Sequence, residues 1–225
     1  MNGPIVTLDG PAGSGKSTTA KAVAARLGFR HLDSGALYRA LTLALLEEGI
    51  PEDDWDDLTE EQMRALDVRV VPTDRAFDVH VKGRLVLDEL RAADVTSRVA
   101  HLASLRPSRA TLLTLQRSAG EHGRLVADGR DMGTVVFPHA DVKVYLVADL
   151  MERARRRLRD EGVEDPTEED VVLQSSSMAG RDRQDSEREH APLRKPEDAH
   201  LIDTTRLGFQ EQVDAIVARV EELRA

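Results

Sequence analysis

The residues best suited to chemistry form a glycine-rich run near the start of the chain. It matches the pattern G-x-x-x-x-G-K-[ST] and stands between a strand-like run, residues 5–9, and a helical pattern, residues 18–27. Glycines let successive backbone N–H groups converge on an anion. We therefore expect a nucleoside triphosphate here, with Lys16 on the β- and γ-phosphates and Ser17 on Mg²⁺. The run consists of Gly10, Pro11, Ala12, Gly13, Ser14, Gly15, Lys16, Ser17 and Thr18.

Charged residues flanked by glycines form a second cluster, Asp128-Gly129-Arg130-Asp131. The planar guanidinium of Arg130 offers paired N–H donors to a phosphate. The carboxylate of Asp131 can accept a hydrogen bond from an exocyclic amine, as carboxylates do from cytosine N4 in nucleic acids. Asp128 ends a predicted strand and can orient a water molecule on Mg²⁺. The alternative for this cluster is a turn closed by an ion pair.

Two further regions carry arginines suited to phosphates. Ser34 is placed to cap a helix whose N-terminus favours an anion, and Arg39 lies farther along that helix. Taken alone, this segment predicts only a capped helix with a solvated arginine. The charged segment 150–190 places arginines, including Arg153 and Arg157, near one helix face. Such a run is ordinarily a solvated helix, but in phosphoryl transfer an arginine-bearing lid neutralises charge and excludes water.

Composition limits the classes of protein that remain. The 225 residues contain no cysteine, so disulfides and cysteine-based zinc sites are excluded. A formal charge of −10 argues against a broad nucleic-acid surface and requires arginines to be concentrated wherever a nucleotide binds. No run approaches the ~18 apolar residues of a membrane span, and no signal peptide precedes the first strand pattern. We expect a cytoplasmic protein that binds neither nucleic acid nor a membrane.

The elements that must position these clusters follow the alternation of a doubly wound sheet. Five short apolar segments near helical patterns predict parallel strands, and aspartates follow them at the edge where ligands of such sheets bind. For any one of these aspartates a helix-cap or loop role is the simpler interpretation. An alternating pattern, with Leu85 and Leu87 among its apolar positions, predicts a small inserted antiparallel sheet. The five strand segments are 4–8, 29–32, 124–128, 142–147 and 200–203.

The remaining stretches give coarser expectations. Pro51 opens an acidic stretch expected to be an exposed helix, in which Trp55 has no visible role. A helix over 92–122 should break near Pro107, and an amphipathic helix over 213–223 closes the chain. The seven histidines show no metal-ligand spacing, so we interpret them as structural or exposed.

Several motifs together resemble the bacterial cytidylate kinases, members of the P-loop nucleoside monophosphate kinases. The match covers nearly the whole chain in order, and its Gly-Arg-Asp-Met-Gly-Thr run is far more specific than the glycine-rich loop. It implies an α/β P-loop kinase fold, with a five-stranded parallel sheet flanked by helices, an inserted monophosphate-binding subdomain with a small antiparallel sheet, and a helical lid. Beside the loop, the motifs are 33–39 (DSGALYR), 128–138 (DGRDMGTVVFP), 181–193 (RDRQDSEREHAPL) and 202–205 (IDTT).

The resemblance divides the chain and assigns roles to its residues. It implies one kinase domain, 1–225, with a core of 1–33, 119–150 and 191–225, a monophosphate-binding part at 34–118 and a lid at 151–190. Arg109 and Asp131 then read the cytosine edge, and Arg181 and Asp185 contact the sugar hydroxyls. Lys16 and the arginines would neutralise the transferring group. The acceptor-phosphate contacts would be Ser34, Arg39, Arg130 and Arg188, and the lid arginines near ATP would be Arg153 and Arg157.

One position departs from the family pattern. Where the family carries a serine that contacts the base, this chain has Ala100, with Ser97 and Ser104 about one turn away on either side. Losing one neutral hydrogen bond weakens binding severalfold to about tenfold. Base recognition should therefore be blunted, but retained.

The expected reaction is transfer of a phosphoryl group from ATP, with Mg²⁺, to CMP or dCMP, by a protein expected to be a monomer. The alternatives are another small P-loop kinase, acting on UMP, AMP or shikimate, and a nucleotide switch of the GTPase kind. Shikimate kinases use a glycine triplet, and this chain contains no Gly-Gly pair. It also lacks the Asn-Lys-x-Asp of a guanine site, since its single asparagine is Asn2.

Overall fold

The apolar segments of the sequence become the strands of two sheets in the computed structural model, which describes residues 3–223. Runs rich in valine and leucine suit strands that are covered on both faces. The strands are β1 (Ile5–Asp9), β2 (Arg30–Asp33), β3 (Val68–Pro72), β4 (Phe77–Val81), β5 (Arg84–Leu85), β6 (Leu125–Gly129), β7 (Val142–Val147) and β8 (His200–Asp203).

The larger sheet is parallel throughout and has the strand order β2-β6-β1-β7-β8. The predicted five-stranded parallel sheet is therefore confirmed. Its central strand, β1, pairs with β6 and β7, and Asp9 lies in register with Gly129 and Tyr145. Because parallel strands end at the same edge, the segments after β1, β2 and β6 meet there.

Helices cover this sheet on both faces. The first begins at Lys16, two residues before the predicted start, because Gly15 adopts φ 88° and turns the loop into the helix. Its C-terminus is closed by Gly28, also left-handed at φ 66°. The helices are α1 (Lys16–Leu27), α2 (Ser34–Glu47), α3 (Glu60–Ala65), α4 (Ala93–Ser104), α5 (Arg106–Ala119), α6 (Leu150–Asp160), α7 (Glu168–Glu187) and α8 (Phe209–Glu222).

The cap of α2 is Asp33, not Ser34 as the sequence had indicated. The Asp33 carboxylate accepts a hydrogen bond from the N–H of Ala36, and Ser34 is the first residue inside the helix. This frees the Ser34 hydroxyl for another partner.

The smaller sheet is antiparallel, in the order β3-β4-β5, as predicted. Its β3–β4 turn docks against the edge strand β2, where the N–H of His31 donates to the carbonyl of Arg75. One detail of the alternation is wrong, because the side chains expected on the apolar face at β5 and just after it are exposed. Leu85 and Leu87 are 40% and 62% exposed, whereas Val86 between them is buried.

The acidic stretch after Pro51 is not one exposed helix. It forms a 3₁₀ segment, Glu52–Asp57, followed by the separate short helix α3. Trp55, which had no visible role, is fully buried in the core beneath α2 and stacks on His101 with ring centroids 5.8 Å apart. The acidic residues around it face water. Because its neighbours in the sequence are polar, the local pattern did not indicate that Trp55 is a core residue.

The predicted break of the long helix near Pro107 is confirmed. α4 ends at Ser104, Leu105 is extended, and Pro107 lies in the first turn of α5, where a missing N–H costs no hydrogen bond. The predicted closing helix is present as α8. Within residues 3–223, no helix combines the length and the apolar character needed to cross a membrane.

Candidate active site

The glycine-rich loop joins β1 to α1 at the C-terminal edge of the sheet. Gly10 and Gly13 have φ of 150° and 70°, which favour glycine. A Cβ on Gly10 would lie 2.1 Å from the carbonyl oxygen of Leu146, so the loop passes the end of β7 with no room for a side chain. The sequence therefore needs glycine here for close backbone approach as well as for conformation.

Lys16 lies inside the curve of this loop. Its Nζ donates to the carbonyl of Pro11 at 2.6 Å and to the Ser14 hydroxyl at 3.4 Å, and the residue is 6% exposed. Burial, reinforced by Arg130, holds the pKa of Lys16 well below its usual range, although Asp128, Asp9 and Asp185 oppose the shift. An anion bound in the loop would supply the counter-charge that the ammonium group needs.

Ser17 and Asp128 meet at the mouth of the loop. The Ser17 hydroxyl donates to Asp128 Oδ2 at 2.5 Å, and His31 Nε2 lies 2.7 Å from Asp128 Oδ1. A hydroxyl beside a carboxylate is an oxygen-donor set that suits Mg²⁺, which usually keeps several waters and takes few protein ligands. The residues therefore fit the ion. Residues 3–223 contain no group of three or more His, Cys, Asp or Glu side chains that could hold a metal ion.

Three arginines and two aspartates converge beyond the loop. Arg130 Nε donates to Asp185 Oδ2 at 2.7 Å, and Arg109 forms an ion pair with Asp131. Arg188 completes the group, with guanidinium nitrogens 3.8 Å from Asp131 and 3.7 Å from Asp185. The structure thus brings together residues that are far apart along the chain.

This cluster holds more positive charge than its carboxylates neutralise. Burial lowers the pKa of Arg181 to about 10, and the charge of Arg130 adds to the effect. Burial and then Arg109 likewise lower the pKa of Arg188. Within the described residues, Arg181 Nε and Arg188 Nη2 are buried without a hydrogen-bond partner. Buried guanidinium donors that lack acceptors indicate a site made for an anion.

Asp131 stands at one end of this site beside an aromatic ring. Its carboxylate is 2% exposed, and burial raises its pKa, an effect that Arg109, Arg188 and Arg130 partly offset. The guanidinium carbon of Arg109 lies 5.5 Å from the centre of the Tyr38 ring. A second donor of Arg109 bonds the carbonyl of Ala103 on the α4 side.

Ser34 and Arg39 lie on α2, beside the arginine cluster. Arg39 Nη1 donates to the carbonyl of Leu90 and to the Thr96 hydroxyl, at 3.0 and 2.7 Å. Burial and the neighbouring charge of Arg157 lower the pKa of Arg39. Ser34 is 2% exposed, and its hydroxyl accepts a hydrogen bond from the amide of Gln116.

The two lid arginines occupy different environments. Arg153 is buried against the loop, where Nη1 donates to the carbonyl of Ala12 at 2.9 Å and to Asp182 Oδ2 at 2.5 Å. Asp182 in turn accepts the N–H of Ala12 at 3.1 Å. Arg157, one turn further along α6, is 38% exposed and pairs with Glu161 at 2.7 Å.

Ala100 lies half-buried on α4, and neither neighbouring serine offers a free donor. The hydroxyl of Ser97 donates to the carbonyl of Asp94, and that of Ser104 to the carbonyl of His101. Each serine therefore bonds the preceding turn of its own helix.

Sequence reasoning missed four residues of this site: His31, Asp182, Gln116 and Asp9. Asp9 accepts the N–H groups of Met132 and Gly133, each at 2.8 Å, and so ties β1 to the turn that carries Asp131. Only Asp9 and His31 stood out beforehand, the first as a strand-end aspartate and the second as a histidine with no assigned partner. Asp182 lies within the 181–193 motif but had no role assigned, and nothing in the local pattern around Gln116 marks it.

Comparisons with known proteins show which family the chain resembles. The cytidylate kinase family matches residues 6–222. A cytidylate kinase of an Exiguobacterium species is 42% identical over 220 residues, 98% of this chain and 97% of that protein. The cytidylate kinase of Bacillus subtilis is 40% identical over 217 residues, 96% of each chain. A protein of Eubacterium ventriosum with a solved crystal structure shares the fold at a TM-score of 0.50 and 12% identity, covering 97% of this chain and 98% of that one. The chain belongs to the cytidylate kinase family.

Proposed function

We propose that the protein transfers the γ-phosphoryl group of ATP to the phosphate of CMP or dCMP, giving ADP and CDP or dCDP. The observation that carries the proposal is the buried group of arginines that ends in Asp131. It provides an anion site with a carboxylate at one end, which matches a nucleoside monophosphate whose base bears an amine. Membership of the cytidylate kinase family supports the same reaction.

The acceptor phosphate would bind between α2 and the cluster. Arg39, Arg130 and Arg188 supply its positive surroundings, and Ser34 adds a hydroxyl at the N-terminus of α2, where the helix itself favours an anion. Arg181 and Asp185 lie on α7 and would contact the sugar hydroxyls, since one offers donors and the other an acceptor. These roles rest on position and on the family resemblance together.

Base recognition would depend on the pair Arg109 and Asp131. The carboxylate accepts the exocyclic amine of cytosine, and the guanidinium donates to the ring acceptors. Uracil carries a carbonyl in place of that amine, so two acceptors would face each other and UMP should bind less well.

No nucleophilic side chain is needed for the transfer. An anionic oxygen of the acceptor phosphate forms the new bond to the γ-phosphorus, while the bond to the leaving ADP oxygen breaks. Lys16 and the arginines at positions 130, 153, 157 and 188 hold the reacting groups in line and spread their negative charge. The lid helices α6 and α7 would exclude water, which prevents transfer of the phosphoryl group to water.

Ser17, with Asp128 acting directly or through a water molecule, would hold Mg²⁺ at the mouth of the loop. The ion supplies positive charge to the phosphate oxygens of ATP when it is bound. His31 fixes the orientation of the Asp128 carboxylate through its contact with Oδ1.

The test is ADP release by the purified protein with ATP and Mg²⁺, offered CMP, dCMP, UMP, AMP and shikimate separately. Turnover with CMP and dCMP well above the others is expected. Comparable turnover with UMP would contradict base recognition by Asp131. Turnover with shikimate alone would show that the acceptor is shikimate and not CMP or dCMP. Absence of turnover with all five would contradict the whole assignment.

The composition predicts the location of the protein and the kind of partner that it binds. We propose a cytoplasmic enzyme whose partners are small nucleotides, without nucleic acid or a membrane. The division into a core, a monophosphate-binding part at 34–118 and a lid at 151–190 belongs to the same proposal.

A further inference from the structure

Gln116 of α5 contacts Ser34 of α2 across 82 residues of sequence. Its Nε2 donates to the Ser34 hydroxyl oxygen at 2.8 Å. Both residues are almost fully buried, with 1% of Gln116 and 2% of Ser34 exposed. A buried hydrogen bond between two neutral side chains holds both groups in one orientation.

The polarity of this bond determines what Ser34 can do. A serine hydroxyl has one proton and two acceptor lone pairs. Because Gln116 donates to the oxygen, the proton must be directed elsewhere, and no described residue accepts it. The hydroxyl is therefore held as a donor, which is the form that an anion requires.

The position of Ser34 shows where that donor acts. Ser34 opens α2 at the C-terminal edge of the sheet, beside the residue that precedes Arg130. A Cβ on Gly129 would lie only 3.2 Å from the Ser34 Cβ. The hydroxyl proton of Ser34 and the guanidinium of Arg130 therefore lie in the same part of the site.

We propose that Gln116 is a positioning residue for phosphoryl transfer: it orients the Ser34 hydroxyl as a donor to the phosphate of the acceptor nucleotide. This inference rests on the proposed function, because it takes the phosphate of a nucleoside monophosphate as the ligand of Ser34. It assigns a role to a glutamine for which the sequence indicated none.

The test compares CMP with cytidine, which lacks the phosphate. In the Gln116→Met variant, which keeps the side-chain length without the amide, the dissociation constant of CMP should rise about three- to tenfold. The affinity for cytidine, measured as a competitor, should not change. Equal weakening of both ligands would show a merely structural role, and unchanged or tighter CMP binding would show that Ser34 had donated to Gln116; either result overturns the proposal.

A double-mutant cycle shows whether Gln116 acts through Ser34. Ser34→Ala should weaken CMP binding about tenfold or more, and adding Gln116→Met to it should weaken binding no further. If the double variant raised the dissociation constant of CMP by the product of the two single factors, Gln116 would act independently of Ser34. That result would overturn the inference. A Ser34→Ala variant with normal CMP affinity would instead remove Ser34 from the acceptor site, which is a failure of the proposed function.

Gln212 provides a matched control. It is a second buried glutamine, 5% exposed, which accepts from the Thr19 hydroxyl at 3.1 Å on the α1–α8 side of the sheet. Gln212→Met should leave the affinity for CMP unchanged, and a loss equal to that of Gln116→Met would overturn the inference. If Gln116→Met does not fold, Gln116→Leu is measured in the same way.

Discussion

At the scale of single residues, the site pairs only some of its charges. Arg130 faces Asp185 and Arg109 faces Asp131, so each of these two guanidinium groups has a carboxylate within reach. Lys16 differs, because its ammonium group has only uncharged oxygen acceptors. A charge that is buried without an ionic partner is costly to the fold and is available to a charged ligand.

Lys16→Ala should therefore abolish transfer without harming the fold. We expect kcat to fall about a hundred- to a thousandfold, as for loss of one charged group at a transition state, with a melting temperature equal to or above that of the native protein. Turnover and thermal unfolding measure the two effects. Lys143→Met is the control, because Lys143 is also buried but bonds Pro138 and Asp198. Near-normal turnover in Lys16→Ala would contradict the role.

Ala100→Ser should tighten binding of CMP. A hydroxyl at this position adds one donor near the base, and it cannot be duplicated by Ser97 or Ser104, which bond helix carbonyls. The gain of a hydrogen bond is about 0.5–1.5 kcal/mol, so the Michaelis constant for CMP should fall severalfold. Ala93→Ser, at the exposed start of the same helix, controls for helix propensity. An unchanged constant would mean that another group already makes the contact.

At the scale of elements, hydrogen bonds between distant segments hold the site together. Asp9 at the end of β1 binds the turn Met132–Val136, and Asp182 on α7 binds the phosphate loop. The lid also packs on the loop through Met178, whose Cε would lie 2.7 Å from a Cβ on Gly13. The geometry of each catalytic segment therefore depends on its neighbours.

Asp9 makes this arrangement sensitive to pH. Burial raises its pKa from 3.8 to about 6, although the two N–H donors, Gly133 and Met132, oppose the shift. The folded protein then binds the proton more tightly than the unfolded chain, so the contribution of Asp9 to stability is lost as pH rises from about 4 through 6. Relative to Asp9→Asn, the native protein should lose about 2 kcal/mol of unfolding free energy between pH 4 and pH 7. Denaturant unfolding at both values measures it, and parallel pH curves would contradict the shift.

Asp182→Asn tests the contact between lid and loop. The substitution keeps the shape of the side chain but removes the charge that holds Arg153, so we expect the Michaelis constant for ATP to rise severalfold. The dissociation constant of CMP, measured without ATP, should not change. Glu168→Gln is the control, since it removes an exposed α6–α7 ion pair with Arg155 that is far weaker. Equal effects of the two variants would show that the contact only joins the helices.

At the scale of the whole molecule, an acidic protein encloses a basic centre. The formal charge is −10, yet the site collects the buried Lys16 and several largely buried arginines. Net negative charge on the surface makes protein molecules repel one another and so opposes association. The cations inside the site attract nucleotides at short range. The large exposed apolar side chains are spread over several elements, with Leu85 and Leu87 at β5, Val172 and Leu173 on α7, Leu201 on β8 and Phe209 on α8.

Scattered apolar side chains do not build an interface, which needs a contiguous patch. We therefore expect a monomer of 24.8 kDa. Light scattering coupled to gel filtration, with and without CMP and ATP, measures the mass. A mass near twice this value would contradict the expectation.

Local patterns were enough to predict much of the architecture. Strand alternation, the glycine-rich loop, the proline break and the motif after β6 each depend on neighbours within a few residues, and the structure contains all of them. Local patterns misplaced the α2 cap and Trp55. Two adjacent polar residues compete for one cap, and acidic neighbours obscure the burial of an aromatic ring.

The sequence by itself determined the fold class, the phosphate loop and the resemblance to a family, because each depends on the types and spacing of residues that are close together along the chain. The tertiary structure alone decided which side chains meet: His31 with Asp128 across 97 residues, Gln116 with Ser34 across 82, and Asp182 with Ala12 across 170. Such contacts arise from how strands order in the sheet and how helices pack on it. The orientation of a hydroxyl or a guanidinium at the site follows from that packing, so no local pattern contains it.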